Sequence, residues 1–207
     1  LLWTTAGESD ALERTLGGHT GLVNAVVVTA DGQQAISASE DDRTLKVGDL
    51  ASGAELHTLS GHLSFVNAVA VTADGQRAIS ASRDGSLKVW DLVSGVELHT
   101  LSGHKDSVNA VTVTADGQRA ISASDDHTLK VWDLANGVEL HTLSGHTRPV
   151  TTVAVTADGQ QAISASADHT LKVWHFASGG ELHTLSGHKR PVTAVAVTAD
   201  GQRAISA

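Results

Sequence analysis

The chain has no cysteine, methionine or tyrosine, only two prolines and two phenylalanines, and aromatic residues fill just 3% of its 207 positions. Without cysteine there is no disulfide, no thiol nucleophile and no thiolate metal site. The composition fits a reducing compartment, so a cytoplasmic location is expected. With so few aromatics, the core has to be built from Ala, Val, Ile and Leu within a hydrophobic content of 41%. No apolar run approaches the eighteen or so residues of a membrane helix, and no signal-peptide pattern opens the chain. Positive charge is also short: 14 Lys and Arg stand against 23 Asp and Glu, a formal net charge of -9. That balance argues against a nucleic-acid-binding face. No methionine stands at position 1, so the sequence reads as processed or as an excerpt of a longer one.

What the chain does have is a period. Gly-His recurs at His19, His62, His104, His146 and His188, at intervals of 43, 42, 42 and 42 residues. Between these points the text is nearly identical, as in "VNAVAVTADGQRAISASRDGSLKVWDLVSGVELHTLSGH" and its successor. Each unit, beginning near Gly18, Gly61, Gly103, Gly145 or Gly187, reads as four short strands. "VNAVAVT" stops at the hairpin signal "ADGQ", and "QRAISAS" stops at a polar turn such as "DDHT". "LKVWDL" stops at "VSG" or "ANG", and "ELHTLSG" leads to the next histidine. Four strands in about 42 residues without a helical period imply an antiparallel meander repeated around an axis.

The stretch "SASDDHTLKVWDL", with His104 upstream, holds the residue types of nucleophilic hydrolysis. An active site is needed once, however, and here the set returns with the period. His62, Ser80 and Asp84 are followed by Trp90; His104, Ser122 and Asp126 by Trp132; His146, Ser164 and Asp168 by Trp174. A constellation copied in every complete unit is structural rather than catalytic. No enzyme activity and no cofactor are therefore expected, and without recognisable ligand spacing no metal site is expected either.

The Gly-His to "VWDL" spacing, the "SxSxD" before the third strand and the Trp-Asp ending resemble the WD-repeat β-propeller family over residues 12–207. The resemblance implies an all-β fold: a propeller of four-stranded antiparallel blades, with four complete repeats and a partial fifth. It also implies that His, Ser, Asp and Trp form a hydrogen-bonded tetrad within each blade, the serine being the first of each pair.

In that family the residues three and five after the Gly-His histidine, and the one before the tetrad aspartate, commonly contact partners. Carried over, these are Leu22, Asn24 and Asp41 in the first unit, and Phe65, Asn67 and Arg83 in the second. They are Ser107, Asn109 and Asp125 in the third, Pro149, Thr151 and Ala167 in the fourth, and Pro191 and Thr193 in the fifth. The copies disagree most in these two turn regions, whereas "ADGQ" hardly varies. Loops tolerate change, which is one account of this. The preferred account is a partner-binding face diversified on a constant frame, anchored by Phe65 and arginine.

The first unit breaks the rule twice. "SASEDDRTLKVGDL" carries an extra turn residue, and Gly48 stands where tryptophan is due, so His19, Ser37 and Asp42 lack an indole donor. This unit is expected to be the least stable. Residues 1–11 read as a linker, with the chain an excerpt of a longer propeller, or as a partial strand of a split blade carrying Trp3; the excerpt is preferred.

The expected function is a non-catalytic scaffold that binds a protein or peptide on the Gly-His face, with neither nucleic acid nor membrane as partner. Open blade edges also invite self-association. The alternative is a multivalent glycan-binding propeller, which calls for invariant contact residues in every copy.

Overall fold

The computed structural model describes residues 15–207. The expectations placed on residues 1–11 and on Trp3 lie outside the described residues. No helix occurs among the described residues; the chain folds into successive antiparallel sheets. The first blade is β1 (Val23–Val28), β2 (Gln34–Ser39), β3 (Thr44–Asp49) and β4 (Glu55–Ser60). The second is β5 (Val66–Val71), β6 (Arg77–Ser82), β7 (Ser86–Asp91) and β8 (Glu97–Ser102). The third is β9 (Val108–Val113), β10 (Arg119–Ser124), β11 (Thr128–Asp133) and β12 (Val138–Ser144). The fourth is β13 (Val150–Val155), β14 (Gln161–Ser166), β15 (Thr170–His175) and β16 (Gly180–Ser186). A two-stranded sheet of β17 (Val195–Val197) and β18 (Ala204–Ser206) follows.

Local chemistry sets the turns. In the "TADGQ" turn of the second blade, Asp74 accepts hydrogen bonds from Thr72 Oγ1 (2.6 Å) and the Gln76 N–H (3.0 Å). Gly75 sits at φ 69°, where a side chain is strained. The same bonds recur at Asp31, Asp116, Asp158 and Asp200.

The blades pack through their first strands: β1 lies beside β5, β5 beside β9, β9 beside β13 and β13 beside β17. Every core is shared by two consecutive blades. Ile36, Leu45, Val47 and Leu59 of the first blade meet Val66, Trp90 and Leu92 of the second. Ile79, Leu87, Val89 and Leu101 meet Val108, Trp132 and Leu134. Ile121, Leu129, Val131 and Leu143 meet Val150, Trp174 and Phe176. The central strands are therefore covered on both faces, and their "AISAS" runs keep side chains small enough for neighbouring sheets to approach. One indole in each of these three interfaces supplies the bulk that the sparse aromatic content otherwise lacks; truncating such a residue costs about 3–5 kcal/mol.

The rim adds polar links between blades. His57 Nε2 meets the Val93 carbonyl and His99 Nε2 the Ala135 carbonyl, both at 3.2 Å. Within each blade a lysine pairs with a glutamate, as in Lys88 Nζ to Glu97 Oε2 at 2.8 Å.

Candidate functional site

In a four-stranded meander the turn entering the first strand and the turn between the second and third lie at the same end. That end carries the Gly-His turns and the polar turns after "SAS". In the third blade, Trp132 Nε1–H donates to Ser122 Oγ at 2.9 Å. Ser122 lies 2.7 Å from His104 Nε2, and His104 Nδ1 lies 2.8 Å from Asp126 Oδ2. A neutral imidazole protonated on Nδ1 satisfies the whole chain, with Ser122 donating to Nε2. The second and fourth blades repeat it through Trp90, Ser80, His62 and Asp84, and through Trp174, Ser164, His146 and Asp168.

Charge follows from burial. Burial holds His104 and His146 below the usual imidazole range, against the pull of Asp126 and Asp168. Burial pushes Asp126 up, but hydrogen bonds from Thr128, the Lys105 N–H and His104 outweigh it and bring its pKa down to about 2. For Asp168, bonds from Thr170, His146 and the Thr147 N–H likewise overcome burial and hold the carboxyl well below the usual range. A histidine kept neutral against a fixed carboxylate, with its serine hydroxyl already shared by an indole, is a clamp between strands. The second serine of each pair does a different job: Ser82 Oγ donates to the Ser64 carbonyl and accepts from the Asp84 N–H.

The turn residues expected to face a partner fall into two sets. Leu22, Phe65, Ser107 and Pro149 extend the pairing of the first two strands, their carbonyls accepting from Glu40, Arg83, Asp125 and Ala167 N–H at 2.9 Å. Arg83 stacks its guanidinium over the Phe65 ring, 5.3 Å from the centroid. Asn24, Asn67, Asn109 and Thr151 instead sit at β-bulges, which re-aim a side chain. Each reaches the next blade: Asn24 to the Val66 carbonyl (3.1 Å), Asn67 to Val108 (2.9 Å), Asn109 to Val150 (3.0 Å) and Thr151 to Val192 (2.6 Å). Asn109 also donates to Asp125 at 2.7 Å, and Ser107 is buried beside Asn67. In the fifth unit Pro191 and Thr193 are exposed, and the Thr193 N–H bonds to the Ala207 carbonyl at 2.8 Å.

The first unit differs. Its extra residue puts Glu40, not Asp41, in the backbone place of Arg83, Asp125 and Ala167. Sequence reading passed over Glu40 because the insertion leaves the count ambiguous. Arg43, at φ 57°, takes the left-handed position that Gly85, His127 and His169 hold elsewhere, and its guanidinium reaches the Leu63 carbonyl at 3.3 Å. His19 still bonds Ser37 (2.7 Å) and Asp42 (2.9 Å), without an indole. Thr44 Oγ1 is buried without a hydrogen-bond partner. In the second blade the equivalent Ser82, Asp84 and Ser86 satisfy one another.

Among the described residues no three His, Asp or Glu side chains are grouped to hold a metal ion. No helix of the described residues is long and apolar enough to cross a membrane.

Four-stranded blades, indole-filled interfaces and a repeated His–Ser–Asp–Trp chain define a β-propeller repeat protein. The chain belongs to the WD-repeat family: the pattern of the WD domain, G-beta repeat, matches residues 11–49, 53–91, 95–133, 137–175 and 179–207. No curated protein matches the chain. Repeats of this family generally serve as protein-interaction scaffolds, and generally without catalysis.

Proposed function

We propose that this chain is a non-catalytic scaffold that binds a protein or peptide on the Gly-His face. The observation that carries the reading is where the near-identical copies differ. Residue pairs joined by a backbone bond at that end read Leu22 with Glu40, Phe65 with Arg83, Ser107 with Asp125, and Pro149 with Ala167. The His–Ser–Asp set stays constant beside them, as do the "ADGQ" turns at the opposite end. Cations stand free on that face. The rim lysines Lys46, Lys88, Lys130 and Lys172 are each paired with a glutamate. Arg83, Arg148, Lys189 and Arg190 on this face, like Arg77, Arg119 and Arg203 at the opposite end, have no carboxylate within ion-pair distance among the described residues. Exposed cations beside an aromatic ring are the usual material of an interface anchor.

The test selects binding peptides from a random display library and measures their affinity for two variants. Phe65→Ala, Arg83→Ala and Arg148→Ala combined are expected to weaken binding at least tenfold. Gln33→Ala, Gln76→Ala and Gln118→Ala combined, at the opposite end, are expected to leave it unchanged. The reverse pattern overturns the face. Saturable binding of a glycan at several equal sites, with no peptide selected, overturns the scaffold reading in favour of a lectin.

A further inference from the structure

Among the described residues, Gly48 leaves open a space that an indole occupies in each of the other complete blades. At its mouth is a cavity of about 290 Å³ on the first blade, with Leu16, Val26, Val47 and Gly48 on its apolar side and His19 and Ser37 on its polar side. The polar side is already arranged. Ser37 Oγ lies 2.7 Å from His19 Nε2, the same separation that Ser80, Ser122 and Ser164 keep from their histidines. Those three serines each take an indole N–H at 2.9 Å, whereas Gly48 gives Ser37 none.

The apolar side is arranged as well. Leu59, Leu101 and Leu143 pack in the same cores as Trp90, Trp132 and Trp174. Leu16, the matching residue ahead of the first blade, lies where a Cβ on Gly48 would meet it at 3.4 Å, ordinary contact. The remaining neighbour of that Cβ, the Ala54 carbonyl, is at 3.9 Å, so the backbone has not collapsed into the vacated space. Apolar cavities of about 150 Å³ stay dry and bind benzene. This one is larger and opens to solvent past Val26. Its other charged lining residues, Lys46 and Glu55, are already paired with each other, so Ser37 Oγ is the acceptor that lacks the donor its counterparts have.

We propose that the cavity is a binding site for an indole ring from outside the chain, its N–H donated to Ser37 Oγ and its rings held against Leu16, Val26 and Val47. The ligand class is set by the two halves of the site. A flat bicyclic hydrocarbon satisfies the apolar side but leaves Ser37 without its donor, and a small polar molecule leaves the apolar side wet.

The test titrates free indole into the full chain, followed by NMR of the Leu16 and Val47 methyl groups. Trp3 is the chain's own competing indole and lies outside the described residues, so the titration is run on the natural sequence and on Trp3→Phe. Saturable shifts at Leu16 and Val47 are expected in both, with 1-methylindole, which has no N–H, binding at least about threefold more weakly. Gly48→Trp is expected to abolish the shifts, with unchanged indole N–H signals from Trp90, Trp132 and Trp174 reporting that the fold is intact. Should that variant fail to fold, Ser37→Ala takes its place and is expected to bind indole and 1-methylindole equally. Absence of saturation, or no preference for indole over 1-methylindole in the natural sequence, overturns the proposal. Binding to Trp3→Phe alone also overturns it, because the site would then belong to the chain's own Trp3.

Discussion

Trp132 and Ser122, ten residues apart on neighbouring strands, share a hydrogen bond of 2.9 Å at the buried boundary between the second and third blades. The serine also serves His104, so Ser122→Ala strips a partner from two buried groups at once. A stability loss of about 2–3 kcal/mol is expected, measured by urea unfolding. Ser124→Ala, which frees only a turn carbonyl and the Asp126 N–H, is expected to cost about 1 kcal/mol. Equal losses would contradict the separate roles of the two serines.

The first blade is expected to open before the others. It lacks the indole, and its longer turn leaves Thr44 Oγ1 buried and unpaired. Native-state hydrogen exchange should show β2 and β3 exchanging faster than β6, β7, β10 and β11. Removing Asp41 restores the turn length of the second blade, allowing Thr44 to pair with Asp42 as Ser86 pairs with Asp84. That deletion is expected to stabilise the protein by about 1–2 kcal/mol; a neutral or destabilising result would mean the turn is satisfied as it stands.

Stability is expected to fall in two stages as the pH is lowered. Above about pH 6.5 His104 and His146 are neutral in both folded and unfolded chains, and their networks are intact. Below that value the unfolded chain takes up protons that the folded chain resists, because the folded pKa is depressed, so stability declines. The second stage belongs to the carboxylates Asp42, Asp84, Asp126 and Asp168, whose contributions are complete above their unfolded value of 3.8; that of Asp126 is lost as the pH falls towards about 2. Urea midpoints measured from pH 8 to pH 2 check this. A midpoint that rises between pH 7 and pH 5 would contradict the assignment of neutral histidines.

Asn67 ties the second blade to the third through Val108 O at 2.9 Å and Ser107 Oγ at 3.1 Å. Asn67→Ala is expected to cost about 1–2 kcal/mol of stability and to leave peptide affinity within about twofold once the protein is kept folded. A large affinity loss without a stability loss would place Asn67 in the partner contact instead.

Blade count, strand order and turn positions were legible because each repeats four or five times and follows from short-range rules: β-branched runs, Asp-Gly turns and a fixed spacing. The chemistry of Ser80 against Ser82 was not legible from alternation alone, since both face one side; only the neighbouring His62 and Trp90 separate them. Asn24, Asn67 and Asn109 read as surface positions, yet a bulge turns them towards the next blade. Bulges leave no mark on hydrophobic periodicity. Glu40 was hidden by the inserted residue, because two aspartates in a row fit either alignment.

The links made by Asn24, Asn67, Asn109 and Thr151 each join residues 42 or 41 positions apart. The shared cores likewise draw on adjacent copies. A contact that spans one repeat survives the loss or gain of a whole repeat, because the copies brought together present the same surfaces as the copies removed. Unequal recombination between the segments that encode these near-identical copies would therefore yield chains of different length whose internal joints all fit. The architecture makes blade number a heritable variable that mutation can change in one step.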